Sequence, residues 1–212
     1  MSYNFITKYN SPNHGAKTVP LPCKDVVLHW WGTPAKQDPQ GIINWLCNPA
    51  SKVSSHSVIW PGNVACIVDY CNRSWANGNN WANDNSITLE CDPSHVNETI
   101  PTIAEYLADL VRKGILRADF RLSGHKDWYS TACPGDYYDR LKEIRDLVRR
   151  NLTFVEPKKE GKVTEAQANR IIELLEEISR RALVVSDSLT PGQEGVKFDG
   201  HTFTQLKELI AK

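Results

Sequence analysis

The chain has 212 residues, of which 41% are hydrophobic and 24% charged; that is enough for one sizeable domain, or one domain with a small appendage. Its 25 Lys and Arg balance 25 Asp and Glu, which argues against nucleic-acid binding by bulk positive charge and against an acidic disordered tail. No run of about 18 apolar residues is present, so no membrane insertion is expected. The opening MSYNFITKYNSPNHGAK lacks the basic and apolar regions of a secretory signal, so synthesis in the cytosol with reduced thiols is expected. The six Cys then read mostly as small buried hydrophobes, with at least one available as a ligand, rather than as three disulfides.

In chain order, residues 1–23 look irregular, broken by Pro12, Pro20 and Pro22. Asp25–Trp31 is a β-rich apolar run that ends before Gly32, a pattern expected of a buried strand. Asp38 followed by Pro39 reads as a helix N-cap with Pro at the first helical position, and GIINWLC carries that helix to about Asn48. Val53–Trp60 and Val64–Tyr70 flank the turn residues Pro61, Gly62 and Asn63, as in a hairpin. Residues 71–85, rich in Asn and Gly, predict a long loop, and Ser86–Cys91 a further strand. Thr99–Lys113 has helical periodicity and stops at Gly114. Phe120–Ser123 predicts a short strand, residues 124–134 a loop, and Asp136–Arg150 an amphipathic helix.

Beyond residue 153 the character changes. Residues 154–163 are charged and carry Pro157 and Gly161, as expected of a linker. Thr164 and Gln167 form a capping-box pattern, and apolar residues from Ala168 to Leu189 recur at three- and four-residue steps. The organisation expected is an α/β domain over 1–153 and a helical appendage over 164–212. The 164–189 stripe suits self-association into a homo-oligomer, with wall targeting as the other reading.

Of six His, two stand where chemistry is plausible. His29 lies inside the apolar run VVLHWWG, where a buried ring needs a partner. His125 follows a predicted strand in SGHKDW, and Cys133 comes eight residues later in TACPG. Two imidazoles and a thiolate are good zinc ligands and leave a fourth tetrahedral position open. The spacing alone equally allows a core His and two loop residues, because no CxxC or HExxH pattern is present. Glu90 is a lone acid in the apolar strand SITLEC: either a proton shuttle with a burial-raised pKa, or a side chain turned to solvent.

Taken together, VVLHWWGTP, VSSHSVI, SITLECDP and GHKDW followed by TACPG resemble the zinc-dependent N-acetylmuramoyl-L-alanine amidases. This type-2 amidase family includes phage endolysins and the peptidoglycan recognition proteins, and the resemblance covers about residues 24–150. It implies a central mixed β-sheet flanked by helices and a Zn2+ held by His29, His125 and Cys133. It also implies Glu90 as acid/base and bacterial peptidoglycan as substrate.

The chain departs from the family pattern at three positions. Ser55 replaces a Tyr found in some members, so the chain is expected either to belong with the Glu-using branch or to be weakened. Thr131 stands where many members have Lys, and its hydroxyl would bring one hydrogen bond but no charge to a developing oxyanion. Ala76 replaces the His of a WHAG segment, leaving Trp75, Asn77 and Trp81 as groove candidates; each Trp could equally cover the core edge. His56 could bind substrate or pack on the sheet. Asp127 is expected to orient the loop or a ligand.

The first functional reading is a hydrolase of the amide between the lactyl group of N-acetylmuramic acid and L-alanine. It would be a phage endolysin made in the host cytoplasm and acting on the wall after release. The second is a recognition module that holds muropeptides without cutting; Cys133 argues against it, because non-catalytic members commonly lack that ligand. A Cys133–His125 peptidase is a third, disfavoured because no helix starts after Cys133 to activate the thiol.

Overall fold

The computed structural model describes residues 3–32 and 37–153. The chain divides into Met1–Val155 and Glu156–Lys212, and the described residues all lie in the first part. The expected linker, heptad stripe and appendage lie outside the described residues.

Six strands form one sheet: β1 (Asn4–Ile6), β3 (Cys23–Trp30), β4 (Ser57–Trp60), β5 (Asn63–Cys66), β7 (Ser86–Cys91) and β8 (Leu116–Gly124). Their order is β1-β5-β4-β7-β3-β8, and only the β4–β5 hairpin is antiparallel. The sheet is therefore mixed, with α1 (Pro39–Leu46), α3 (Val96–Arg112) and α4 (Leu141–Thr153) against it. Strand alternation sorts the side chains. Val26 and Leu28 of β3, with Ile87, Leu89 and Cys91 of β7, pack in one core with Ile100, Ile103 and Leu107 of α3 and Ile144 and Val148 of α4. Val58 and Ala65 face the other way, onto Ile42, Ile43 and Leu46 of α1. Covered on both faces, the central strands are apolar almost throughout.

The helix start at Asp38 forms as expected, with Asp38 Oδ1 accepting from the Gly41 amide at 2.7 Å. The hairpin strands are shorter than expected because residues 53–56 and 67–70 leave the ladder. Strand β8 is longer than expected, and the last predicted helix begins instead with a 3-10 stretch, Gly135–Arg140.

Two expected irregular segments are partly ordered. His14–Ala16 (β2) pairs antiparallel with Asn72–Ser74 (β6), and Asn80–Asn85 forms a short helix, α2. Its Asn residues are caps and struts rather than loop filler: Asn79 Oδ1 accepts from the Ala82 amide at 3.0 Å, and Asn85 Nδ2 donates to the Trp81 carbonyl at 2.9 Å. All six thiols are free, but Cys71 is exposed rather than in the core.

His56 is fully buried, so it packs in the sheet and is not a groove residue. Its Nδ1 accepts from the Thr88 amide at 3.0 Å, and its Nε2 lies 3.0 Å from the Asn72 carbonyl. Both ring nitrogens are thus engaged by protein. Burial, with Lys17 nearby, lowers its pKa to about 3. The unfolded chain takes up this proton first as pH falls below the ordinary 6.5, so folded stability declines from there down to about 3. In the metal-free full-length protein, His56→Gln is expected to flatten this dependence by about 1.4 kcal/mol per pH unit. Denaturant unfolding across pH 4–6 measures it, and an unchanged slope would contradict the assignment.

Candidate functional site

The parallel register of β3 on β7 places His29 opposite Glu90, so both point to the α1 side near the C-terminal ends of their strands. That strand-end crevice is where open α/β sheets carry ligands. His125 enters from a one-turn 3-10 helix, His125–Asp127, directly after β8. Asp127 holds this turn: its carboxylate accepts from the Gly124 amide at 2.9 Å and from the Tyr138 hydroxyl at 2.6 Å. Cys133 is tied to the same turn by the Lys126 amide, which donates to the Cys133 carbonyl at 2.9 Å. Gly135 follows at φ +58, and a Cβ there would sit 2.1 Å from the Trp30 ring. Glycine is therefore required for the loop to close onto β3.

The three side chains converge. His29 Nδ1 is 3.7 Å from Cys133 Sγ, and the His29 and His125 rings are 4.3 Å apart. One ligand atom from each of His29, His125 and Cys133 lies within 4.8 Å of the other two. Tetrahedral zinc with ordinary Zn–N and Zn–S bonds would need such atoms roughly 3.5 Å apart. His125 Nε2 is buried without a hydrogen-bond partner, an otherwise costly state for a polar atom. The donor set, its spacing and this orphaned nitrogen all fit a bound Zn2+.

Burial sets the charge of every group here. It lowers His29 to a pKa of about 3, with the neighbouring His125 adding to the effect, so the ring is neutral and free to act as a ligand. It lowers His125 as well. It raises the Cys133 thiol to about 12, with Glu90 contributing, which is the opposite of an activated nucleophile. It raises the Glu90 carboxyl to about 8, although Glu90 still reaches the pocket surface.

A groove of about 420 Å³ opens beside these residues. Its walls include Trp31, Trp45, Val53 and Trp75, with His29 and Glu90 also lining it. Trp45 and Trp75 are exposed on this groove.

A family model for N-acetylmuramoyl-L-alanine amidase matches residues 20–136, more than half of the chain. The chain belongs to the N-acetylmuramoyl-L-alanine amidase family. Among solved structures its fold is similar to the Staphylococcus aureus hydrolase AmiA in complex with its ligand, at 15% identity and a TM-score of 0.60, covering 72% of this chain and 84% of that one. It is also similar to a mutant endolysin from Bacillus subtilis (19% identity, TM-score 0.55, covering 69% and 99%). A third similar fold is the Drosophila peptidoglycan recognition protein SD (19% identity, TM-score 0.54, covering 66% and 94%). No curated sequence relative matches the chain.

Within this amidase-family fold the remaining expected site residues separate. Thr131 Oγ1 accepts from the Cys133 amide at 3.2 Å, which leaves its own hydrogen free to donate. Trp75 lines the groove. Trp81 does not: it stacks on Trp128 at 5.2 Å, with Arg121 and Lys24 against its ring, in a separate shallow depression. Asn77 is fully buried and bonds to His29, so it is not a substrate contact on the groove wall.

Residues that sequence reasoning missed are Trp31, Trp45 and Val53 in the groove, and Tyr129. Tyr129 is 56% exposed and stacks on His125, over Gly78. Trp45 did carry a signal, as a large aromatic on the polar side of a short amphipathic helix.

Zinc binding is expected to release about one proton near pH 7, since the Cys133 thiol must ionise while His29 is already neutral. The zinc affinity of the full chain should therefore rise about tenfold per pH unit. Cys133→Ala should bind weakly and lose that dependence. Calorimetry in buffers of different ionisation enthalpy measures the released protons, and zero release would contradict the ligand set.

Proposed function

We propose that this chain is a zinc-dependent peptidoglycan hydrolase of the endolysin type, cutting the amide between the lactyl group of N-acetylmuramic acid and L-alanine. The observation that carries this reading is the meeting of His29, His125 and Cys133 beside Glu90 at the end of an aromatic groove. When bound, Zn2+ would supply a Lewis acid for water and for the scissile carbonyl.

The chain's own residues divide the rest of the work. Glu90 takes a proton from the attacking water and passes it to the leaving amine of L-alanine, so one carboxyl serves both halves of the hydrolysis. Burial raises the Glu90 carboxyl, which favours its holding the water proton until the amine leaves. The Thr131 hydroxyl donates to the carbonyl oxygen as negative charge builds there, a weaker contribution than an ammonium would make. Trp75 and Trp45 present faces for stacking on the substrate.

The recognition-module reading is less well supported. A module that only binds has no need of a complete His, His, Cys set or of a desolvated acid beside it. Phage origin, and action on the wall after release from a host cytoplasm, follow from the endolysin reading. Among the described residues no helix is long and apolar enough to cross a membrane.

Digestion of purified peptidoglycan should release free amino-terminal alanine without new reducing sugar ends, and a chelator should abolish it. Reducing ends without free alanine would overturn the reading. Glu90→Gln should lower turnover by about 10²–10⁴-fold while leaving bound zinc in place. Turnover equal to the parent's would remove Glu90 from the mechanism.

A further inference from the structure

The asparagine of the Asn/Gly loop does not face the groove, and its hydrogen bonds form a directed chain. Asn77 is 0% exposed. Its amide has two ends, a carbonyl oxygen that only accepts and an NH2 that only donates. One end lies 2.8 Å from His29 Nε2 and the other 3.3 Å from Ser86 Oγ.

Which end faces which partner follows from the next link. Ser86 Oγ is 2.6 Å from the Ala82 carbonyl, which can only accept. The single serine hydrogen is therefore committed there, and towards Asn77 the hydroxyl can only accept. The NH2 of Asn77 must face Ser86, and its Oδ1 must face His29. The backbone of Asn77 is anchored independently, its amide donating to Asn83 Oδ1 at 2.9 Å.

An acceptor against His29 Nε2 requires that this nitrogen carry the hydrogen. In a neutral imidazole the other nitrogen then holds a bare lone pair. That other nitrogen, Nδ1, is the one 3.7 Å from Cys133 Sγ. We infer that Asn77 is a positioning residue that sets the tautomer of His29, through the chain Ala82, Ser86, Asn77, and so presents His29 Nδ1 as a ready metal ligand. The inference rests on the zinc reading for its consequence, but the tautomer itself is a property of the metal-free protein. It also gives Asn77 a role other than the substrate contact expected of the groove-wall segment.

Two measurements on the full chain test this. Long-range proton–nitrogen correlation spectra of the metal-free protein should show His29 protonated at Nε2 and bare at Nδ1. Competition with a chromophoric chelator then gives the affinity for Zn2+ alone. Asn77→Leu keeps the shape and removes the acceptor, and should weaken zinc binding 10–100-fold. Asn77→Asp restores an acceptor and should bind within a few-fold of the parent or tighter.

Ser86→Ala frees the amide to turn over and should weaken zinc binding several-fold, which keeps the test open if the leucine variant does not fold. A parent protonated at His29 Nδ1 would overturn the inference. So would leucine and aspartate variants weakened alike, since that would mean the site needs only packing. A parent with the expected tautomer but no zinc affinity would instead overturn the metal reading and leave the tautomer assignment standing.

Discussion

The parallel pairing of β3 with β7 is the constraint on which the rest of the site depends. It sets His29 directly across from Glu90, and Leu28 across from Leu89. The apolar members of each pair face α3 and α4, and the polar members face α1. A slip of one residue would turn His29 and Glu90 into the helix-covered core and expose Leu28 and Leu89. The same apolar packing that stabilises the sheet therefore holds His29 and Glu90 in place beside one another. His125 and Cys133 need only be delivered to that point by the loops after β8. This is why those loops are cross-tied by Asp127 and the Lys126 amide, and closed onto Trp30 at Gly135.

Burial then decides the chemistry. Without a cation, the site is arranged to carry little charge: neutral imidazoles, a protonated thiol and a Glu90 carboxyl pushed to about 8. Each shift has desolvation as its largest cause, so together they mark a place that disfavours isolated charge of either sign. A divalent cation reverses that preference locally, because its own charge dominates its surroundings. A bound cation would therefore favour loss of the Cys133 proton. The orphaned Nε2 of His125 belongs to the same logic, since a buried nitrogen without a protein partner is costly unless something else meets it.

The central strands were legible in the sequence because they depend on local contrast, whereas the grouping of His29, His125 and Cys133 was implied by the family resemblance and not by their spacing. DVVLHWW and SITLEC are apolar runs, and the single His and Glu inside them stand out against that background. What was not legible depends on tertiary partners. Strands β2 and β6 are three residues each, too short for periodicity to register, and they exist by pairing with one another. His56 could not be assigned from its neighbours in sequence because its partners, Asn72 and Thr88, come from elsewhere in the chain. Trp75 and Trp81 are six residues apart in one Asn-rich segment, yet β6 carries one to the groove and α2 turns the other onto Trp128. Aromatic composition alone cannot separate those fates.

The Asn/Gly segment shows how one stretch of chain can change occupation while keeping its place. With Ala76 in place of a larger polar residue, the segment offers the groove little beyond Trp75, and its asparagines turn inward. Trp31, Trp45 and Val53 also line the groove, so apolar contact frames the entrance to the His29, His125 and Cys133 cluster. Among the described residues lining this groove, the only carboxylate is Glu90, and no Lys or Arg contributes. Under the amidase reading, the described lining would favour substrate by stacking and shape.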